Sequence, residues 1–152
     1  MPKKILVCVD IGNLAEHLVD YGHSLALRLD AEISFLHVLP NPHTWKGYGT
    51  WIHPDITKEA RESATKKIQY LIRKAEEKHP DLPHHEHPIL FGEGDATEVI
   101  IQTGKSNGFN LIVIGFKNRS GIEKMMIGGT ASDVARYANC SVLIYRPGFD
   151  PF

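Results

Sequence analysis

At 152 residues the chain has the length of one domain, expected to span residues 1–152 as a single unit and to bury about 68–70% of its unfolded surface. Its 42% hydrophobic and 23% charged residues describe an ordinary globular protein, and a net charge of -1 excludes the electrostatic pull of a nonspecific nucleic-acid or acidic-membrane binder. No apolar run approaches the roughly 20 residues of a membrane span, and Met1 leads straight into a strand pattern instead of a leader, so a cytoplasmic protein is expected.

Ile5 to Val9 is a continuous β-branched and apolar run ending at Asp10 and Gly12, the pattern of a central parallel strand covered on both faces. Asn13 and Glu16 have capping-box spacing, and Leu14, Leu18, Tyr21, Leu25 and Leu29 recur at helical intervals, which predicts an amphipathic helix lying on the sheet. Ile33 to Val38 reads as a second strand, with His37 inside it as a satisfied core residue, and Pro40 and Pro42 stop it. The loop from Pro42 to Trp51 is long and aromatic, a candidate cover for a ligand or a contact for a protein partner.

From about Thr57 to Lys78, the stripe Ala64, Ile68, Leu71, Ile72 and Ala75 predicts a second helix whose charges form its solvated face. Residues 84 to 91 read as a third strand, and Pro88, which cannot donate to a ladder, assigns it to a sheet edge. Asp95 and Glu98 have cap spacing ahead of a third helix with Val99, Ile100 and Thr103 on its inner face, and Gly104 and Gly108 are expected to release the chain into the fourth strand, Leu111 to Ile114. Gly115 and a glycine-bearing loop follow, Thr130 opens a fourth helix with Val134, Ala135 and Ala138 inward, and Val142 to Tyr145 make the last strand. Five strands alternating with helices specify an α/β fold, a single-domain, doubly wound parallel sheet with helices on both faces.

Glycines admit a ligand close to the backbone, and unpaired N–H groups at a helix start attract an anion, so the stretch from Ile114 through Gly115, Asn118, Gly128, Gly129 and Thr130 is a plausible phosphate cradle. This stretch resembles the C-terminal motif of the universal stress protein family: a glycine, two residues, a second glycine, nine residues, then glycine followed by serine or threonine. Gly115 and Gly128 fall at the first and third glycine positions; Asn118 stands at the second, and Gly129 separates Gly128 from Thr130. The resemblance runs from Ile5 to Arg146. It implies strand order 3-2-1-4-5, which would set Asp10 beside Gly115, and a homodimer paired through Val142 to Tyr145. It also implies an adenine-nucleotide site, for ATP or another adenine nucleotide, with Mg2+ where a triphosphate binds. In that site Asp10 contacts the adenosine part, Val9, Val38 and Ile114 match adenine-contacting positions, and Gly115, Gly128, Gly129 and Thr130 hold phosphates. Asn118 tolerates the left-handed turn that the missing glycine would have made.

Other chemistries have less support. Gly104-Lys105-Ser106 lacks the earlier glycine of a phosphate-binding loop, because position 99 is Val99, and it follows a helix; it is expected to be a helix terminus. His84, His85 and His87 near His79 raise a metal site, but strand alternation sends only His85 and His87 to one face, and no metal is expected. Cys8 and Cys140 read as small core residues. No serine has an identifiable histidine and acid partner, so no dedicated enzyme is expected and at most slow ATP hydrolysis. Two functions stand side by side: a nucleotide-binding sensor or signalling module of the stress response, and a stress-related dimer that binds no nucleotide and acts through an unknown protein partner.

Overall fold

The computed structural model describes residues 2–39, 54–81, 87–116 and 129–149. Within them five strands alternate with four helices: β1 (Lys4–Cys8), α1 (Ala15–Leu29), β2 (Glu32–Leu39), α2 (Pro54–Glu76), β3 (Ile89–Glu93), α3 (Ala96–Ser106), β4 (Leu111–Gly115), α4 (Gly129–Tyr137) and β5 (Ser141–Tyr145). All strand pairings are parallel and the order is β3-β2-β1-β4-β5. This is the predicted doubly wound sheet.

The central strands are apolar throughout because each face is covered. Ile5, Val7, Phe35 and Val113 pack with Leu18, Val19, Leu25, Ile68 and Leu71 of α1 and α2 on one face. Leu6, Cys8, Leu36, Ile112 and Ile114 pack with Ile100, Ala131 and Val134 of α3 and α4 on the other. Alternation along one strand thus feeds two cores. The five-residue stripe predicted for α2 is buried in full, whereas Leu29, the last of the stripe predicted for α1, is 56% exposed. Asp30 ends α1 there in a left-handed conformation, so Leu29 falls on the turn that leaves the sheet.

Three local expectations are corrected. Asn13 does not cap α1: the helix begins after Leu14 with no side-chain cap, and Glu16 instead reaches Lys74 of α2 at 2.6 Å. The turn ahead of it is held by backbone alone, with the Gly12 N–H donating to the Asp10 carbonyl and the Ala15 N–H to the Gly12 carbonyl. The third strand starts at Ile89, after His87 and Pro88, and residues 84–86 of its expected span lie outside the described residues. Pro88 offers no N–H, but its carbonyl accepts from Phe35, so pairing with β2 begins there and the strand lies at the edge as predicted.

Gly104 does not release the chain. It is buried inside α3, where a Cβ would come within 3.0 Å of Ile112 Cδ1, and Gly108, with φ of +65°, makes the exit turn. The Gly104-Lys105-Ser106 tripeptide is the last turn of α3, as predicted. Asp95 does cap that helix, its Oδ1 accepting from the Glu98 N–H at 3.0 Å.

Candidate functional site

In a doubly wound sheet the winding reverses between the two adjacent strands whose connections leave on opposite faces, and a crevice opens there beyond their carboxyl ends. Here those strands are β1 and β4. Cys8 is paired with Ile114, and that register, carried one step further, sets Val9 level with Gly115 and Asp10 one residue beyond. The expected juxtaposition of Asp10 with Gly115 is therefore offset by one residue.

Val9 continues the β1–β2 pairing past the end of the strand. Its N–H donates to the Leu36 carbonyl at 2.8 Å, and its carbonyl meets His37 Nδ1 at 2.7 Å. A carbonyl only accepts, so Nδ1 carries the proton and a neutral ring presents Nε2 as an acceptor. Half-buried His37 also sets its ring against the edge or face of Phe91 on β3, with centroids 6.2 Å apart. His37 is thus a satisfied residue, as the sequence suggested, but it fixes the carbonyl at the lip of the crevice. Asp10 follows on the surface, and Ile11 beside it is 40% exposed.

The three apolar site positions divide between the faces. Val9 belongs to the core under α1 and α2, whereas Ile114 and half-buried Val38 pack into the core under α3 and α4. The structure thus brings Val38 and Ile114 to one face, and Val9 turns both its backbone N–H and its carbonyl toward β2. Gly115 has a packing reason to be glycine: a Cβ there would lie 3.0 Å from Leu18 Cδ1 and 3.4 Å from Leu14 Cδ1. Its bare side faces α1.

Gly129 and Thr130 form the first residues of α4, Gly129 exposed and Thr130 half-buried. A Cβ at Gly129 would meet nothing within 4 Å among the described residues, and the first turn of α4 holds no acidic side chain. Among the described residues, that helix start therefore has room and favourable polarity for an anion. Asn118 and Gly128 lie outside the described residues, as does the aromatic stretch from Trp45 to Trp51.

Sequence reasoning missed Leu14 and Leu18 as the neighbours that exclude a side chain at Gly115, and Arg146 past the end of β5. The Arg146 guanidinium lies over Phe116 at 4.3 Å from the ring centroid and 6.0 Å from that of Phe149. Long-range packing of this kind leaves no local sequence signal. Cys8 and Cys140 are free, and burial pushes the Cys8 thiol up to about 12. Among the described residues no group of three or more His, Cys, Asp or Glu side chains is arranged to hold a metal ion, and no helix is long and apolar enough to cross a membrane.

Comparison with known proteins gives a consistent result. The model of the Universal stress protein family matches residues 1–146. Universal stress protein YxiE of Bacillus subtilis (strain 168) is 27% identical over 150 residues, covering 96% of this chain and 100% of its own length. Among solved structures, universal stress protein UspA from Lactobacillus plantarum superposes with a TM-score of 0.71 at 21% identity, over 95% of this chain and 97% of its own. The universal stress protein from Archaeoglobus fulgidus, solved in complex with dAMP, superposes with a TM-score of 0.63 at 21% identity, over 95% and 98% of the two chains.

Proposed function

This chain belongs to the universal stress protein family, and from that premise we propose that its carboxyl-edge crevice binds an adenine nucleotide and that the protein serves the stress response as a nucleotide-responsive sensor or signalling module. The observation that carries the reading is the junction of β1 and β4 at the reversal of the sheet, with α4, whose first turn holds no acidic side chain, packed on the same face as Ile114. The dAMP complex of the Archaeoglobus fulgidus relative, a protein of the same fold, supports the same ligand class.

In this reading Val38 and Ile114 border the base, Val9 offers its His37-bound carbonyl, and Asp10 takes the sugar. Gly128, Gly129 and Thr130 hold phosphate through backbone N–H groups, with Asn118 at the turn between Gly115 and Gly128. Gly115 contributes closeness of β4 to α1. A bound triphosphate would bring Mg2+ to neutralise its charge. Two copies of the chain would pair through β5, which lies at the edge of the sheet opposite β3.

The test is mass spectrometry of gently purified, then denatured, protein for a carried small molecule, together with thermal shifts against Mg-ATP, AMP and cyclic AMP. A ligand that binds only the folded state stabilises it by about 2.7 kcal/mol at a hundredfold excess over its dissociation constant. Gly128→Val is expected to abolish that shift. Gly129→Val is expected to reduce it without lowering the Tm of the free protein, because the Cβ meets none of the described residues within 4 Å. No released nucleotide and no shift with any of the three would refute the site and leave the protein-contact dimer in its place.

A further inference from the structure

At the amino edge of the sheet, the end opposite the crevice, three histidines from three segments meet. His23 lies on α1, His79 follows the end of α2, and His87 precedes β3 by two residues. The His23 and His87 rings meet edge to face with centroids 5.3 Å apart, and those of His23 and His79 lie tilted at 5.9 Å. His87 in turn stands edge-on to Phe35 of β2 at 6.3 Å. Only 5% of His23 is exposed.

The charged groups around the cluster come from the same elements. Asp20 on α1 pairs with Lys78 just past α2 at 3.0 Å, and Glu76 at the end of α2 sets its Oε1 3.3 Å from His87 Nε2. Burial opposes a proton on His23, His87 and His79 add to that opposition, and Glu76 and Asp20 counter it only in part, so the pKa lies below the ordinary 6.5. A shallow recess of about 310 Å³, lined by Gln69, Ile72, Arg73, Glu76, His87 and Ile89, opens beside His87, the one ring of the three that lines it.

We propose that this cluster is a proton-operated latch, which in its neutral form fastens the end of α2 and the start of β3 onto α1 and which releases that corner of the fold when a proton enters. A cation at His23 would be almost wholly enclosed, with two imidazoles beside it, so the charged form favours a state in which the corner opens and the rings separate. β3 is the strand to give way, because it is an edge strand held on one side only, by β2. The direction with pH follows from the lowered pKa. Below about 6.5 the unfolded chain takes up a proton that the closed latch refuses, so stability is full above that pH, falls as pH drops through it, and levels off below the folded value.

The experiment compares wild type with His23→Phe, which keeps a ring in the cluster and removes the proton site. Urea unfolding between pH 8 and 5 would be run with hydrogen exchange at pH 7.5 and 5.5. Between those two pH values the folding constant of the wild type is expected to fall up to about tenfold more than that of His23→Phe. The extra exchange in the wild type should concentrate in residues 68–79 and 87–93. Should His23→Phe not fold, an NMR titration of the wild-type histidine rings decides, with the His23 midpoint expected below its ordinary value. Parallel stability curves, a His23 ring titrating at or above that value, or stoichiometric uptake of zinc with a rise in Tm at pH 7.5 would each overturn the latch, the last by making the cluster a metal site.

Discussion

Gly115 is where a functional and a structural account of one residue part company, and Gly115→Ala separates them. Alanine in place of glycine at a strand position gains about 0.5–1 kcal/mol of backbone entropy. Against this, the new methyl would lie 3.0 Å from Leu18 Cδ1 and 3.4 Å from Leu14 Cδ1. Overpacking a core costs about 1–3 kcal/mol. Leu18 is fully enclosed and yields little, while half-buried Leu14 has space to turn outward. The net expectation is a loss of about 1 kcal/mol, and more for Gly115→Val. Urea unfolding of the single variants and of Gly115→Ala with Leu18→Ala makes a double-mutant cycle, in which the pair should cost about 1 kcal/mol less than the sum of its parts. Titration of adenine nucleotide into folded Gly115→Ala should give an affinity close to that of the wild type, since the methyl faces α1. Unchanged or increased stability coupled with a more than tenfold loss of affinity would refute the packing account and return Gly115 to the phosphate cradle.

Other consequences follow from the same contacts. Gly22→Ala places a Cβ 2.6 Å from Cγ2 of Val7, a stiff side chain sealed in the central strand, so the roughly 1 kcal/mol of helix propensity that alanine brings is outweighed and the urea midpoint should fall. Asp95→Ala removes the acceptor for the Glu98 N–H and should destabilise the protein by about 1 kcal/mol, with Asp95→Asn restoring most of it. Burial raises both thiols, that of Cys8 to about 12, so a thiol reagent at pH 8 should label half-buried Cys140 slowly and leave Cys8 untouched until urea unfolds the chain. The same raised value makes stability fall as pH climbs from 9.0 towards about 12, where the unfolded chain releases a proton that the fold retains, and Cys8→Ala should flatten that limb of the curve.

What could be read from the chain alone was whatever depends on neighbours in sequence. The apolar runs at Ile5 and Leu111 are strands because both faces are covered, Pro88 keeps its segment at an edge because it has no N–H to give, and Asp95 caps because its acceptor is three residues from an unpaired donor. What could not be read depends on partners far along the chain. Asn13 and Glu16 have the spacing of a cap, yet Glu16 bonds Lys74, 58 residues away, a competitor that spacing cannot reveal. Gly104 and Gly115 look alike in sequence to glycines that turn a chain or admit a ligand. Both are also crowded, Gly104 by Ile112 and Gly115 by Leu14 and Leu18, which no local pattern shows. His23 raised no signal at all, since nothing local brings three histidines from three segments together.

The crevice and the histidine cluster lie at opposite ends of the sheet, but one helix serves both. The start of α1 packs Leu14 and Leu18 against Gly115, its middle sits on Val7 at Gly22, and the next residue, His23, enters the cluster. Close packing from end to end leaves a helix little freedom to shift at one end alone. If nucleotide and proton both act on the seat of α1, thermodynamic linkage makes the effect mutual: bound nucleotide must move the titration of His23 by the same free energy by which protonation of His23 changes nucleotide affinity. Affinity measured across pH 5 to 8 in wild type and in His23→Phe therefore tests the helix as a shared element. Affinity that weakens in the wild type alone as the folded His23 takes up its proton, below the ordinary 6.5, identifies α1 as that element. Identical profiles in the two proteins make the crevice and the latch independent features of the same sheet.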